Sequence, residues 1–418
     1  MAGMRTLGEN EWGVRAYLVL SFALTVAAVG WAGASVFGSE AGYYASIVYA
    51  GSIFPLVSSN VVSSDALLTL WEASAVACFW HGMRTRRRGS ILLMWCFFGL
   101  GFLTKGPPSL LPLFGIVPAY WMLKRTNSSL PRLVSPLGLA GFFVLGLSWF
   151  VLEGCHHPGL WNYWLKDELI ARNVTAHARR NPQWYIGPLM YLPILALGAL
   201  PWPAVLLLKR KRLAPLRETG WKNSFSVLSA MRPEWVFIGG MTILPLGIFL
   251  ASKSKLPFYV LPLFIPLSLA YGRAIHHLVV AGAIRRASVN RLALATALLF
   301  VAGKAFSAEL DVPQNMKTLS RSVATLQRLY PDYALYVHKR PRNGLEFYLG
   351  TTLPVIPAGS VARTIESEMA VKGPLLVLVQ EKRAKNVLQA VGQAQARVVP
   401  TGKKGWLAIL VKEKSDSG

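Results

Sequence analysis

Residues 153–185 read EGCHHPGLWNYWLKDELIARNVTAHARRNPQWY, a segment dense in Trp, Tyr, His, Arg and paired acids between two long apolar runs. Its setting decides the fold. A helix crossing a bilayer takes about 20 mostly apolar residues, and the runs at 136–152 and 187–208 approach or exceed that length. So polar a segment between two such runs belongs outside the hydrocarbon layer, at one membrane face. Further apolar runs lie at 14–36, 41–59, 67–80, 91–103, 109–123, 236–251, 258–274 and 292–301. The pattern predicts a mainly α fold, a polytopic transmembrane bundle of about ten helices.

Composition points the same way. Of the 418 residues 53% are hydrophobic and 15% charged, with mean hydropathy +0.40. Soluble proteins carry about 25% charged residues. The formal net charge of +25 would suit nucleic acid if the basic residues formed one patch. They stand instead in short runs beside apolar segments, the pattern of membrane topology, and no nucleic-acid partner is expected. Cys78, Cys96 and Cys155 have no metal-type spacing, and two of them fall inside apolar runs, so no disulfide framework is expected.

The basic loops set an orientation. Arg84, Arg86, Arg87 and Arg88, then Lys124, Arg125 and Arg132, then Lys209 to Arg212 with Arg217, and finally Arg285, Arg286 and Arg291 all fall on one side. Positive residues favour the cytoplasm. The opposite side then receives Asp65, Lys105, the loop 153–186, residues 252–255, the C-terminus and the N-terminus.

Beyond residue 305 the composition changes. Residues 1–305 form the expected transmembrane domain and 306–418 a small extramembrane α/β domain of ordinary size. Strands are expected at 333–337, 346–349, 375–379, 397–399 and 406–411, with helices at 315–329 and 383–395. This part has no glycine-rich phosphate loop and no metal cluster in its sequence, and His338 and Asp332 are read as ordinary surface residues.

Ionisable groups at membrane depth are costly and are candidates for function. Asp65 opens an apolar run after Ser63 and Ser64; spacing alone favours a helix cap over an acid in catalysis. Glu72 follows two turns along the same face, where it could pair with a base inside the bundle. Lys105 ends the junction Leu103-Thr104-Lys105-Gly106-Pro107-Pro108, which breaks a helix sharply. It reads either as a lysine reaching for the interface or as a ligand for a lipid phosphate. Lys253 and Lys255, in Ser252-Lys253-Ser254-Lys255-Leu256-Pro257-Phe258-Tyr259, repeat that arrangement. In the 153–185 loop, Trp161, Tyr163 and Trp164 suit an interfacial aromatic belt, and Glu168 with Arg172 suits an i,i+4 helix pair. The same loop holds His156, His157, His177, Arg179 and Arg180, so its composition also fits a lipid-phosphosugar site.

Together these stretches resemble a known family. Ser64-Asp65-Ala66-Leu67-Leu68, Phe102-Leu103-Thr104-Lys105-Gly106-Pro107-Pro108, Trp161-Asn162-Tyr163-Trp164 with Glu168 and Arg172, and residues 252–262 occur in order. They are similar to motifs of the bacterial aminoarabinose transferases and protein-mannosyltransferase-like, GT-C-type membrane glycosyltransferases. The resemblance spans about residues 11–271. It implies a bacterial inner-membrane enzyme that transfers a sugar from a polyprenyl-phosphate donor to lipid A, a glycan or a protein on the periplasmic side. It implies Asp65 as a catalytic carboxylate, and Lys105, Trp161, Tyr163, Glu168, Arg172, Lys253 and Lys255 as substrate-binding residues. No cofactor is expected beyond the lipid-linked donor, and no divalent metal is indicated. Family members begin with a further helix and a long external loop that holds the principal catalytic Asp, so an N-terminally truncated chain is expected. The alternatives are a transporter or flippase for a lipid-linked sugar, or a non-catalytic relative.

Overall fold

The computed structural model describes residues 2–164, 181–213, 232–309, 315–391 and 396–412. The chain divides into two compact units, residues 1–301 and 302–418.

Unit 1 is helical. In order come α1 (Glu11–Phe37), α2 (Ser39–Ala50), α3 (Asp65–Thr85), α4 (Arg88–Lys105), α5 (Leu113–Thr126), α6 (Pro136–His156), α7 (Ile186–Gly198), α8 (Trp202–Leu208), α9 (Pro233–Ala251), α10 (Phe264–Val280) and α11 (Arg286–Glu309), which runs on past residue 301. The helix starts are written in the sequence. Asn10 accepts from the Trp12 and Gly13 amides at 2.9 and 3.0 Å to cap α1. Ser135 caps α6 through the Gly138 amide at 3.1 Å, with Pro136 at the first helical position, where its missing N–H costs nothing.

Five of these spans are long and apolar enough to cross a membrane, namely α1, α6, α9, α11, and α10 taken with the 3₁₀ segment before it. A sixth is possible if α7 and α8, bent by 71°, count as one span. Among the described residues length and composition alone thus give five or six candidate spans, against the about ten expected from sequence. The remaining helices are short, as α2 and α5 are, or carry charge, as α3 does with Asp65, Glu72 and Arg84. The chain is a multi-pass membrane protein. Its outward apolar side chains accord with that: Leu137, Val144, Leu189, Ile243 and Leu299 are each 65% or more exposed.

The interior is close-packed around α3, whose Ala73, Ala75, Val76, Ala77 and Phe79 are fully buried. α3 packs between α1 and α4, and α4 packs on α6. Gly99 on α4 faces α6 so closely that an added Cβ would stand 2.9 Å from the Phe142 carbonyl oxygen. Small residues at such crossings let helices approach in lipid, where no hydrophobic force separates protein from solvent.

Unit 2 contains α12 (Met316–Leu329), β1 (Ala334–His338), α13 (Asn343–Leu349), β2 (Val355–Ile356), α14 (Val361–Lys372), β3 (Leu375–Gln380), α15 (Ala384–Val391), β4 (Ala396–Pro400) and β5 (Trp406–Val411). The sheet order is β2-β1-β3-β5-β4, parallel for the first three strands and antiparallel for the rest. Alternate residues of β3 feed opposite layers. Leu376 and Leu378 pack with Leu319, Val323 and Leu345 of α12 and α13, while Val377 and Val379 pack with Val361, Ile365 and Val387 of α14 and α15. Two expectations change here. The stretch 346–349 is helix and not strand, because Leu345 and Leu349 share one face and Gly350 ends the turn at φ 68°. His338 is 6% exposed and is no surface residue, since it completes a central strand.

Candidate active site

The helix pair α3 and α4 positions the polar groups. The two run antiparallel, so the start of α3 and the end of α4 lie at the same end of the pair. Asp65 is the first residue of one and Lys105 the last of the other. Gly106 then takes φ 77°, a conformation that a Cβ disfavours, and its amide bonds Phe102 O at 2.7 Å. Pro107 and Pro108 prevent the helix from continuing. Trp71 Nε1 donates to Thr104 Oγ1 at 3.1 Å and ties the two helices together.

This geometry pairs Lys105 Nζ with Asp65 Oδ1. The Asp65 side chain is 10% exposed and that of Lys105 22%. Ser63 Oγ donates to Asp65 Oδ2 at 3.1 Å, and the same Oγ accepts from the Asp65 amide at 3.1 Å. Asp65 is thus no simple cap, because its carboxylate faces a lysine 40 residues away in sequence. Lys105 also stands 4.6 Å from the ring centre of Tyr259, within cation–π reach. A lysine held by a carboxylate and an aromatic face is fixed in place, unlike one reaching freely for water.

The pair opens on a cavity of about 750 Å³. Glu72, Phe102, Phe150, Trp161, Trp164, Ser252, Ser254 and Tyr259 are among its walls. The aromatic side is continuous: Trp164 lies 5.2 Å from Phe150 and 5.7 Å from Trp161, ring centre to ring centre. Glu72 lies two turns below Asp65, about 10 Å along the axis. It is 1% exposed, and neither carboxylate oxygen has a hydrogen-bond partner among the described residues. Ser254 Oγ is likewise buried and unpartnered. Unsatisfied buried polar atoms are rare in folded proteins and call for an explanation; a cavity that receives a polar ligand supplies one.

Of the residues singled out from sequence, Asp65, Glu72, Lys105, Trp161 and Trp164 meet at this cavity. Tyr163 is 47% exposed and is not among the lining residues. Lys253 is exposed, whereas Lys255 is 1% exposed and folds back so that Nζ donates to Ser252 O at 2.5 Å. The serines of that motif, and not its lysines, line the cavity. Glu168 and Arg172 lie outside the described residues. Tyr259 gains a place that spacing alone did not give it. Among the described residues no cluster of three or more His, Cys, Asp or Glu could hold a metal ion.

The chain is similar to known proteins. Residues 1–150 match the family described as dolichyl-phosphate-mannose-protein mannosyltransferase. Over 273 residues the chain is 29% identical to the undecaprenyl phosphate-alpha-4-amino-4-deoxy-L-arabinose arabinosyl transferase of Yersinia enterocolitica, a match covering 63% of this chain and 45% of the relative. The transferase of the same description from Edwardsiella ictaluri is 28% identical over 274 residues, with 64% and 46% covered. The chain is similar to these aminoarabinose transferases over nearly two thirds of its length. It spans about half the length of the curated transferases it matches. The fold agrees: the crystal structure of ArnT from Cupriavidus metallidurans bound to undecaprenyl phosphate superposes with TM-score 0.67 at 18% identity, over 98% of this chain and 86% of that one. The apo form of the same transferase gives 0.66.

Proposed function

We propose that the chain is an integral membrane glycosyltransferase that moves a sugar of the aminopentose class from a polyprenyl phosphate to an acceptor, with lipid A as the leading candidate. The observation that carries this reading is the Asp65–Lys105 pair at the mouth of an aromatic-walled cavity. In the step envisaged, an acceptor oxygen attacks the anomeric carbon and the bond from that carbon to the lipid phosphate oxygen breaks. Asp65 takes the acceptor's proton. The departing phosphate keeps the bonding electron pair, and Lys105 balances its growing charge. Phe150, Trp161 and Trp164 offer flat faces to a sugar ring or an isoprenoid tail.

The chain would cross the bacterial inner membrane about ten times, with the shorter helices spanning in company with their neighbours. Residues 302–418 would then lie in the periplasm. Arg172 would stand near the donor phosphate, Glu168 would hold a sugar hydroxyl, Tyr163 would lie at the interface, and no metal would take part. The reading is supported by relatives whose names state undecaprenyl-phosphate aminoarabinose transfer. Membranes containing the protein are to be incubated with radiolabelled undecaprenyl-phosphate aminoarabinose. Label is expected in the lipid A fraction; label that stays wholly on the polyprenyl carrier would overturn the proposal.

A further inference from the structure

The C-terminal unit holds a second cavity, of about 490 Å³, lined by His338, Lys339, Ser360, Arg363, Arg383 and Asn386 among others. We infer that this cavity binds a phosphate group, carried by a soluble sugar or by a lipid headgroup. The inference goes beyond glycosyl transfer and does not rest on it.

Topology comes first. From β1 the chain passes through α13 on one face of the sheet, whereas from the adjacent β3 it passes to α15 on the other. Where neighbouring parallel strands send their connections to opposite faces, a crevice opens beyond their carboxyl ends, and open α/β sheets bind ligands there. His338 and Lys339 come from the end of β1, Ser360 from the loop after β2, Arg363 from the first turn of α14, and Arg383 from just after β3. The cavity occupies that crevice.

The walls then name the charge of the ligand. The 12-residue helix α14 begins at the cavity, and no side chain caps it. The first-turn amides of a helix lack intrahelical partners and carry the positive end of its dipole. Lys339, Arg363 and Arg383 add three cations. No acid is among the lining residues, and none of the three forms an ion pair among the described residues.

His338 is the independent sign of a ligand. It is 6% exposed, it lines the cavity, and its ring makes no hydrogen bond to any described residue. Burial, then the charges of Arg383 and Lys339, hold the imidazole below its usual value. The same uncompensated field reaches Arg342, whose guanidinium is pushed down by burial and by Arg383 and Arg340. Three cations, an uncapped helix start and an unpaired buried imidazole converge on one space. A phosphate accepts from all of them, and the fork of each arginine suits it.

The test uses the full chain in a phosphorus-free detergent and a phosphate-free buffer. Hydrogen exchange of peptides covering residues 338–340 and 358–364 is followed with inorganic phosphate, glucose 1-phosphate or dihexanoyl phosphatidic acid. At least one probe is expected to slow exchange there, and the double variant Arg363→Ala/Arg383→Ala should weaken that binding at least 10-fold. Lys385→Ala, an exposed change outside the lining residues, should leave it intact. Stronger protection by the sugar phosphate points to a soluble ligand, and by phosphatidic acid to a headgroup. If no probe protects these peptides, or if protection survives the double variant, the inference is overturned.

Discussion

Lys105 and Asp65, the last residue of α4 and the first of α3, are joined by an ion pair at the mouth of the unit 1 cavity. Each group therefore has two tasks, to neutralise the other and to face the cavity. Removing one partner of a largely buried pair costs about 3–5 kcal/mol, because the survivor is left unpaired. Lys105→Ala should lower the unfolding midpoint and also weaken donor binding. Asp65→Asn keeps a polar acceptor for Lys105 and should spare the donor affinity. It should still cut the transfer rate by about 10²-fold or more if Asp65 is the base. Equal loss of affinity in both variants would assign the pair to structure alone. Radiolabel transfer with a separate lipid-binding titration makes the comparison.

Glu72 tests whether the cavity is built for a ligand. A buried carboxylate with no partner destabilises the protein that holds it. Glu72→Leu should therefore raise the thermal midpoint, by an amount equivalent to about 1–3 kcal/mol, while reducing transfer. Gain of stability with loss of activity is the mark of a group kept for function. A variant that loses both would show instead that Glu72 holds the bundle together.

The sequence announced the ends of α3 and α4 more clearly than what lies between them. Gly106-Pro107-Pro108 forces a break whatever surrounds it, and Asp65 after two serines marks a start. The placing of Lys105 and Asp65 on one side followed from basic loops. Their direct contact depended on how α3 lies against α4, which spacing within either helix does not determine. Glu72 was visible as a carboxylate on the Asp65 face, but its lack of a partner is a property of packing. In the 252–259 motif the lysines drew notice by charge. The backbone there turns so that Lys255 bonds its own turn and the serines face the cavity. In unit 2 the aromatics of 346–349 imitated a strand, whereas the deciding signal was the four-residue spacing of Leu345 and Leu349 before Gly350. Helix α14 had the same spacing in Val361, Ile365 and Met369, though charged residues between them obscured it.

Gly106 isolates the role of the helix break. A Cβ there would meet no atom within 4 Å, so the cost of Gly106→Ala is backbone strain alone. That strain, at φ 77° and ψ −145°, amounts to about 1–3 kcal/mol. Relief would come from re-aiming the chain just after Lys105. Donor affinity should therefore fall by about 10-fold while the protein remains folded. Gly99→Val provides the contrast: its side chain would press on the Phe142 carbonyl, separating α4 from α6, and should lower stability more than affinity.

His338 gives unit 2 a pH dependence of defined sign. Its folded value is depressed by burial and by Arg383 and Lys339. Between that value and the unfolded value of about 6.5, the unfolded chain binds the extra proton and the folded chain does not. Stability then rises with pH. The contribution is present above the unfolded value and is lost as pH falls through it toward the folded one. In phosphate-free buffer, amide protection of β1 and β3 in the full chain, corrected for intrinsic exchange, should be weaker at pH 5 than at pH 7. His338→Leu removes the titrating group and should flatten that difference. A difference that persists unchanged in the variant would place the titration elsewhere. Added phosphate should also lessen it in the wild type, because an anion beside the ring stabilises the imidazolium and offsets the repulsion of the neighbouring cations.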